Sequence, residues 1–243
     1  MKQFVTARNI TAAISVSASL LSPISLAMPL TTTDPYNWTG FYAGLNAGAV
    51  KHTMNVTDIE ATSFYATIQE VSDPNFTGGL QAGYRRQLDL TRASGVYGLE
   101  FSANFSNAAF NQEYGSSFAQ YQLSAENALK EAYLLQLMGG IATDKTLLFL
   151  AAGLSWADIT GNMTSLNGIP FFHSFNTGKT AFGTAVGGGI EYAFSKTISA
   201  RFKLDVITPN AYLSVDDVGD NFQISNNIVQ GTIGVNYRFK GIF

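Results

Sequence analysis

The stretch Val229-Gln230-Gly231-Thr232-Ile233-Gly234-Val235-Asn236-Tyr237-Arg238-Phe239 alternates between large apolar residues and small or polar ones. Successive side chains of a β-strand point to opposite faces, so this period of two predicts a strand with one apolar and one polar face. Asn236 and Arg238 lie on the polar face, and the apolar face ends in the aromatic residues Tyr237 and Phe239. The pattern alone leaves open which face lies in a core.

The same rhythm recurs along the chain after a polar leader at residues 29–38. Eight segments show it: residues 40–51, 77–88, 95–106, 130–142, 147–157, 180–193, 198–207 and 228–239. A tilted strand needs about 9 to 11 residues to cross a membrane, and every segment is long enough. Large apolar residues occupy one face and glycines, amides and charges the other, which inverts the pattern of a soluble barrel. The sequence therefore predicts an all-β fold, an eight-stranded antiparallel transmembrane up-and-down β-barrel.

The connections between these segments alternate in length. The short ones are residues 88–95, 143–146 and 194–197, and the long ones are residues 52–75, 107–128, 159–179 and 208–227. Outer-membrane barrels have short periplasmic turns and long outer loops, so four extracellular loops are expected. The alternative is a soluble sandwich or ligand-binding barrel, but sandwich strands are usually shorter. Aromatic residues near the segment ends also favour two membrane interfaces.

The N-terminal 27 residues have the pattern of an export signal. Lys2 and Arg8 are followed by an apolar stretch at residues 10–21 and by Ser25-Leu26-Ala27, which has small residues where a signal peptidase reads them. We expect residues 1–27 to be a cleaved signal peptide and residues 28–243 to be a single barrel domain. An uncleaved membrane anchor is the alternative, although the apolar stretch is short for one.

Composition excludes several classes of function. Without Lys2 and Arg8 the acidic residues outnumber the basic ones by five, which argues against a nucleic-acid partner. The chain has no cysteine, so disulfides, thiol catalysis and thiolate metal sites are absent. No cofactor is expected.

Both ends of the expected barrel carry a family resemblance. The stretch Trp38-Thr39-Gly40-Phe41-Tyr42-Ala43-Gly44-Leu45-Asn46-Ala47-Gly48 resembles the first strand of small porin-family surface barrels, the OmpA-like and opacity-type group. Gly234-Val235-Asn236-Tyr237-Arg238-Phe239 resembles their last strand. The resemblance implies a Gram-negative outer-membrane location and an aromatic C-terminal signal read by the outer-membrane assembly machinery. Tyr237, Phe239 and Phe243 share the phase of that signal.

Charged residues on the polar face form the first candidate site. The phase of the segments places seven of them in the lumen: Arg85, Glu100, Glu191, Arg201, Lys203, Asp205 and Arg238. A barrel of eight strands is only wide enough for side chains to fill it, and buried charges must pair. These residues are expected to form an ion-paired core that closes the barrel, or alternatively a narrow gated pore whose ion pairs exchange partners.

Three further groups of residues carry weaker signals. The histidines, His52 and His173, are predicted in outer loops, where a hydrolase would combine one of them with a serine and an acid. The candidates for those two roles are Ser174, Ser63, Asp58 and Glu60. Asp216, Asp217 and Asp220 form an acidic group that lacks the spacing of an EF-hand, so a weak contact with a divalent ion is the most it offers. No catalytic, cofactor or metal residue is therefore assigned.

The predicted function is a non-enzymatic surface role, structural or adhesive, displayed on the four outer loops. Aromatic residues in those loops suit contact with a host surface, a neighbouring barrel or lipopolysaccharide, although packing among the loops accounts for them equally well. They are Phe64, Tyr65, Phe110, Tyr114, Phe118, Tyr121, Phe171, Phe172 and Phe175. A narrow channel for ions or small solutes is the first alternative, and a lipid-modifying enzyme is the second.

Overall fold

Strands account for nearly all of the described chain. A computed structural model describes residues 36–58, 67–71, 73–89, 93–116, 121–165, 175–210, 212–215 and 221–239. Within these residues the chain forms ten strands: β1 (Gly40–Asp58), β2 (Thr67–Val71), β3 (Asn75–Asp89), β4 (Ser94–Ser116), β5 (Tyr121–Thr143), β6 (Thr146–Ser165), β7 (Phe175–Ala193), β8 (Ile198–Pro209), β9 (Tyr212–Val215) and β10 (Asn221–Arg238). No helix long and apolar enough to cross a membrane occurs in the described residues.

Eight of these strands form a closed antiparallel barrel. Neighbours in the chain pair with one another from β3 to β8, β10 pairs with β8, and β1 pairs with both β3 and β10. Pairing of β1 with β10 runs from Tyr42 opposite Arg238 to Asp58 opposite Phe222 and closes the wall. The short strands β2 and β9 pair with β1 and β10 at the end of the barrel opposite the short turns. The predicted eight-stranded barrel is confirmed.

Alternating side chains give the wall an apolar exterior and a filled interior. Along β8 the residues facing the lumen are buried, and those between them are exposed except for the half-buried Ala200. Exposed apolar side chains continue round the barrel, among them Leu45, Leu150 and Ile233, each more than 60% exposed. In a membrane this face contacts lipid, so the chain buries its polar residues and presents its apolar ones, as the phase of the segments predicted.

The strands are longer than the alternation of apolar and polar residues predicted. β4 runs to Ser116 and β5 begins at Tyr121, so most of the predicted loop 107–128 is a paired hairpin. β1 likewise continues to Asp58, and β7 begins at Phe175. The prediction of long loops is wrong in extent, because apolar alternation marks only the part of a strand that faces lipid. Backbone pairing continues beyond that part of the strand.

The turns at the other end agree with the sequence. β5 and β6 are joined by the two residues Asp144 and Lys145, and Asp144 has a φ of 49°. Asp tolerates this left-handed conformation better than most residues do. β7 and β8 are joined by residues 194–197. Because outer-membrane barrels have their short turns on the periplasmic side, we call this the periplasmic end of the barrel.

Candidate functional site

Six of the seven predicted lumen charges meet in the middle of the barrel. Arg85 comes from β3, Glu100 from β4 and Glu191 from β7, and β8 contributes Arg201, Lys203 and Asp205 at alternate positions. Every one of them is at most 4% exposed. Three basic and three acidic side chains give the group no net charge. Charge balance matters here because an unpaired ion in such a buried position is costly.

Glu100 is the centre of this group. Its Oε1 lies 3.2 Å from Lys203 Nζ, and its Oε2 forms an ion pair with Arg201 Nη1 and accepts a hydrogen bond from the Tyr42 hydroxyl. Arg85 Nη2 lies 3.9 Å from the same Oε2. The Arg85 guanidinium also stacks over the Tyr42 ring, 4.0 Å from its centroid. One carboxylate thus joins side chains from four different strands.

Glu191 and Asp205 complete the group on either side. Glu191 Oε2 lies 2.8 Å from Arg85 Nη2, and Glu191 Oε1 accepts a hydrogen bond of 3.0 Å from Asn236 Nδ2. Asp205 Oδ1 lies 3.2 Å from Lys203 Nζ. Gln136 donates to Asp205 Oδ1 and accepts from Lys203 Nζ, at 3.0 Å and 2.6 Å. The amides extend the ion pairs into a network across the lumen, which we call the polar core.

Arg238 does not join the polar core. It lies at the periplasmic end of β10, where its Nη1 donates a hydrogen bond of 3.1 Å to the carbonyl of Thr39 and its Nη2 donates to the carbonyl of Lys196. Its guanidinium stacks over the Tyr36 ring at 4.9 Å. The prediction that all seven charges form one lumen network is therefore wrong for Arg238. At the end of the strand, backbone carbonyls of the turn between β7 and β8 and of the segment before β1 are within its reach.

An apolar layer covers the polar core on the extracellular side. Its side chains come from β1, β5, β6, β7, β8 and β10 and are nearly inaccessible to solvent: Val50, Leu129, Ala132, Leu134, Ala157, Ile159, Ala181, Ala185, Ile207 and Ile228. We call this the upper layer. Six of the eight wall strands contribute to it.

A second apolar layer closes the periplasmic side. It contains wall residues together with two aromatic residues that precede β1: Tyr36, Trp38, Val96, Met138, Ala142, Leu147, Phe149, Ala151 and Ala193. We call this the lower layer. Met138 contacts the polar core directly, since its Sδ lies 3.2 Å from Arg85 Nε. Burial, partly offset by the charge of Arg238, raises the pKa of the Tyr36 hydroxyl above its ordinary value.

His52 lies in the lumen and not in an outer loop, so that prediction is wrong. It belongs to β1, is fully buried, and its Nε2 lies 3.0 Å from Asn226 Oδ1 of β10. The strand continues past His52 and turns its ring inwards. Ser63, Glu60, His173 and Ser174 lie outside the described residues, and the Asp58 side chain is not described. The enzyme prediction gains no geometric support from His52.

The other predicted sites are only partly described. Asp216, Asp217 and Asp220 lie outside the described residues, as do the signal-peptide region 1–27 and Phe243. Elsewhere in the described chain, no three His, Asp or Glu side chains converge as a metal site would require. Tyr237 and Phe239 both point outwards, with ring centroids 5.3 Å apart. The Phe239 amide donates to the carbonyl of Phe41, so this end of the chain continues the ladder with β1.

Comparison with known proteins is consistent with this architecture. The family model described as the outer membrane protein beta-barrel domain matches residues 18–239. The chain belongs to that family. The 31 kDa outer-membrane immunogenic proteins of Brucella melitensis biotype 1 and Brucella suis biovar 1 are each 24% identical to it, over 94% of this chain and 96% of theirs. This outer-membrane barrel is thus similar to outer-membrane immunogenic proteins along almost its whole length.

Solved structures of low sequence identity are also similar to this chain. Neisserial surface protein A is 12% identical, with a TM-score of 0.39, over 83% of this chain and 98% of that one. The outer-membrane protease OmpT from Escherichia coli is 9% identical, with a TM-score of 0.51, over 86% and 99%. The likeness to OmpT concerns the fold alone.

Sequence reasoning missed the aromatic part of the lower layer of this outer-membrane barrel. Residues 29–38 were assigned to a polar leader, yet Trp38 is only 2% exposed and Tyr36 is 8% exposed. Their ring centroids are 4.5 Å apart in an edge-to-face contact. Tyr36 and Trp38 are two aromatic residues, two positions apart, immediately before the first strand, and this spacing was the only available signal.

Proposed function

We propose that this outer-membrane barrel is a non-conducting surface protein whose extracellular strands and loops bind partners, in a structural or adhesive role. The observation that carries the proposal is the filled lumen, in which the polar core lies between the upper and lower layers. Ions would have to cross both apolar layers, whose side chains are almost fully buried. The relatives' description as immunogenic proteins supports exposure at the cell surface.

The extracellular part offers a particular kind of binding surface. Pairing of β3 with β4 ends at Thr77 opposite Ser106, but β4 continues to Ser116. Among the described residues this upper part of β4 pairs only with β5. Its other edge presents backbone N–H and C=O groups that an added strand could satisfy.

The sequence leaves this edge of β4 less protected than the edges of β2, β9 and the upper part of β7. Proteins guard edge strands by keeping them short or by placing lysine or proline on them. β2 and β9 have only five and four residues, and β7 carries Lys179 near its end. Residues 106–116 contain one charge, that of Glu113, and no proline. An extended segment of a protein outside the cell is therefore the partner that we propose. Lipopolysaccharide would surround the wall of the barrel, and the assembly machinery would bind the chain only during its insertion.

Adherence of bacteria that display the chain tests this role. The gene is expressed in a non-adherent Gram-negative host, and binding to cultured mammalian cells is compared with that of the empty host. Asn111→Pro and Gln112→Pro form the matched pair, because neighbouring residues of a strand direct their N–H groups to opposite sides. We expect one variant to misfold and the other to fold but lose adherence. Equal adherence of the empty host and the parent would refute the adhesive role.

The channel is the alternative, favoured by the charges of the polar core. It predicts ion conduction by the purified barrel, which the two apolar layers oppose. A conducting barrel would still be an outer-membrane protein, but its function would be transport and not binding at the cell surface.

A further inference from the structure

The segment immediately before β1 leaves the wall and enters the barrel mouth. β1 begins at Gly40, whose φ of 134° is a conformation that residues with a side chain rarely adopt. Residues 36–39 do not belong to the β-ladder of the wall. The chain therefore turns at Gly40, from the rim of the barrel into its lumen.

Side-chain contacts hold this segment in place. The Trp38 amide donates to Gln87 Oε1 at 2.9 Å, and the Gln87 amide donates to Thr39 Oγ1 at 3.0 Å. Two cations contact its aromatic rings, with Arg85 Cζ 5.9 Å from the Trp38 centroid and Arg238 over Tyr36. The rings complete the lower layer beside wall residues such as Leu147.

The two layers differ in how they are built. Every side chain of the upper layer comes from a wall strand and is fixed by the ladder. The lower layer includes Tyr36 and Trp38, which in the described part of the chain are joined to the wall through Gly40 and through side-chain contacts. Withdrawal of the segment would remove two large rings from the mouth without breaking any strand pairing. It would also take away the aromatic partner that Arg238 has at the rim.

We infer that residues 36–39 are a movable stopper that controls access from the periplasm to the polar core, while the upper layer stays closed. The stopper turns at Gly40 and is locked by the burial of Tyr36 and Trp38. When it is in place, Arg85 and Glu100 are shielded from water. When it leaves, water and small solutes enter from the periplasmic mouth only. Because the upper layer stays closed, the lumen is then a chamber that opens only to the periplasm. Opening the stopper therefore does not produce a channel.

Cysteine accessibility tests the stopper directly, because the chain has no cysteine of its own. Ser102→Cys places a thiol of similar size in the lumen, at a position that is 4% exposed. A charged, membrane-impermeant methanethiosulfonate reagent is then applied to the full mature chain folded in detergent micelles. The rate of modification is compared with and without Trp38→Ala or Tyr36→Ala. Tyr237→Ala is the control, since it removes an exposed aromatic residue from the same end of the barrel.

We expect Ser102→Cys alone to react slowly and Trp38→Ala to raise the rate by about tenfold or more, since truncating a buried aromatic side chain removes most of what holds it in place. Tyr237→Ala should leave the rate unchanged. Gly40→Ala, which retains both rings but strains the turn, should raise the rate as well. Heat-dependent gel mobility shows that each variant is folded. A rate that is the same in the parent and in the folded Trp38 and Gly40 variants would overturn the stopper.

The side of entry gives a second readout. In intact cells of a host that lacks general porins, the reagent reaches only the extracellular mouth, and we expect Ser102→Cys to stay unmodified even with Trp38→Ala. After the outer membrane is permeabilised, the same double variant should react. Modification in intact cells would show that the upper layer leaks, and it would contradict a chamber that opens only to the periplasm.

Discussion

Replacing Glu100 with glutamine perturbs the polar core at its centre. Glu100→Gln keeps the size of the side chain but removes the charge that faces Arg201, Lys203 and Arg85. Arg85 retains Glu191 and Lys203 retains Asp205, whereas Arg201 loses its carboxylate partner. The lumen then carries one uncompensated positive charge between two apolar layers.

The size of the effect depends on whether water reaches the polar core. Removing one partner of a buried ion pair costs about 3 to 5 kcal/mol, whereas an exposed pair contributes at most about 1 kcal/mol. A closed lumen therefore predicts a loss in the free energy of unfolding near the first figure. Asp144→Asn removes an acid from an exposed turn and should change that free energy by less than about 0.5 kcal/mol.

A second substitution restores the charge balance. Glu100→Gln with Arg201→Met leaves two intact ion pairs, Arg85 with Glu191 and Lys203 with Asp205. We expect the double variant to be more stable than Glu100→Gln alone, so the two effects are far from additive. Urea unfolding in micelles, followed by tryptophan emission and gel mobility, is measured for the parent, Glu100→Gln, Arg201→Met and the double variant, with Asp144→Asn as the control. Losses below about 1 kcal/mol that simply add would mean hydrated charges and would refute the reasoning.

Three further predictions concern the wall. A Cβ on Gly153 would collide with the backbone of Leu135 and Gln136, while one on Gly139 would meet open space. Urea unfolding should therefore show that Gly153→Ala lowers the free energy of unfolding by about 1 to 3 kcal/mol and that Gly139→Ala changes it little. Equal stabilities would contradict the close approach of β5 and β6. Brominated lipid should quench the fluorescence of Trp156, measured in a Trp38→Phe variant, because Trp156 packs on the exposed Phe182. It should not quench the fluorescence of Trp38, measured in a Trp156→Phe variant, because Trp38 is buried in the lumen. The reverse result would mean that the stopper is not in the lumen. Phe239→Ala should lower the folded fraction in cells more than the exposed Phe194→Ala, measured by gel mobility, and equal fractions would exclude Phe239 as part of the assembly signal.

Alternation predicted the fold wherever the strand faces lipid. Residues 198–207 were predicted as one strand and form β8, Ile198–Pro209, because lipid on one side and the lumen on the other impose a strict period of two. The regular apolar pattern does not extend through the upper half of the hairpin of β4 and β5, although the strands do. His52 was misplaced because the apolar pattern of its segment ends at residue 51, while β1 and its buried face continue.

The polar core was predictable in membership but not in pairing. Phase along each strand places Arg85, Glu100 and Glu191 on the inner face, yet the contacts depend on how the strands are staggered around the barrel. Arg238 shares that phase but lies at the rim, where its height along the axis decides its partners. The burial of Trp38 was not predicted, because a segment that enters the lumen outside the β-ladder has no alternation of apolar and polar residues.

Single-channel recording in planar bilayers tests the central claim, that the lumen is closed by two apolar layers around a paired polar core. Folded parent protein and the Trp38→Ala variant are each inserted and recorded at both polarities, with gel mobility showing that the protein is folded. The closed lumen predicts silent bilayers for both proteins, since the upper layer remains when the stopper is lost. Stable conductance of the folded parent would contradict it and would make the barrel a pore.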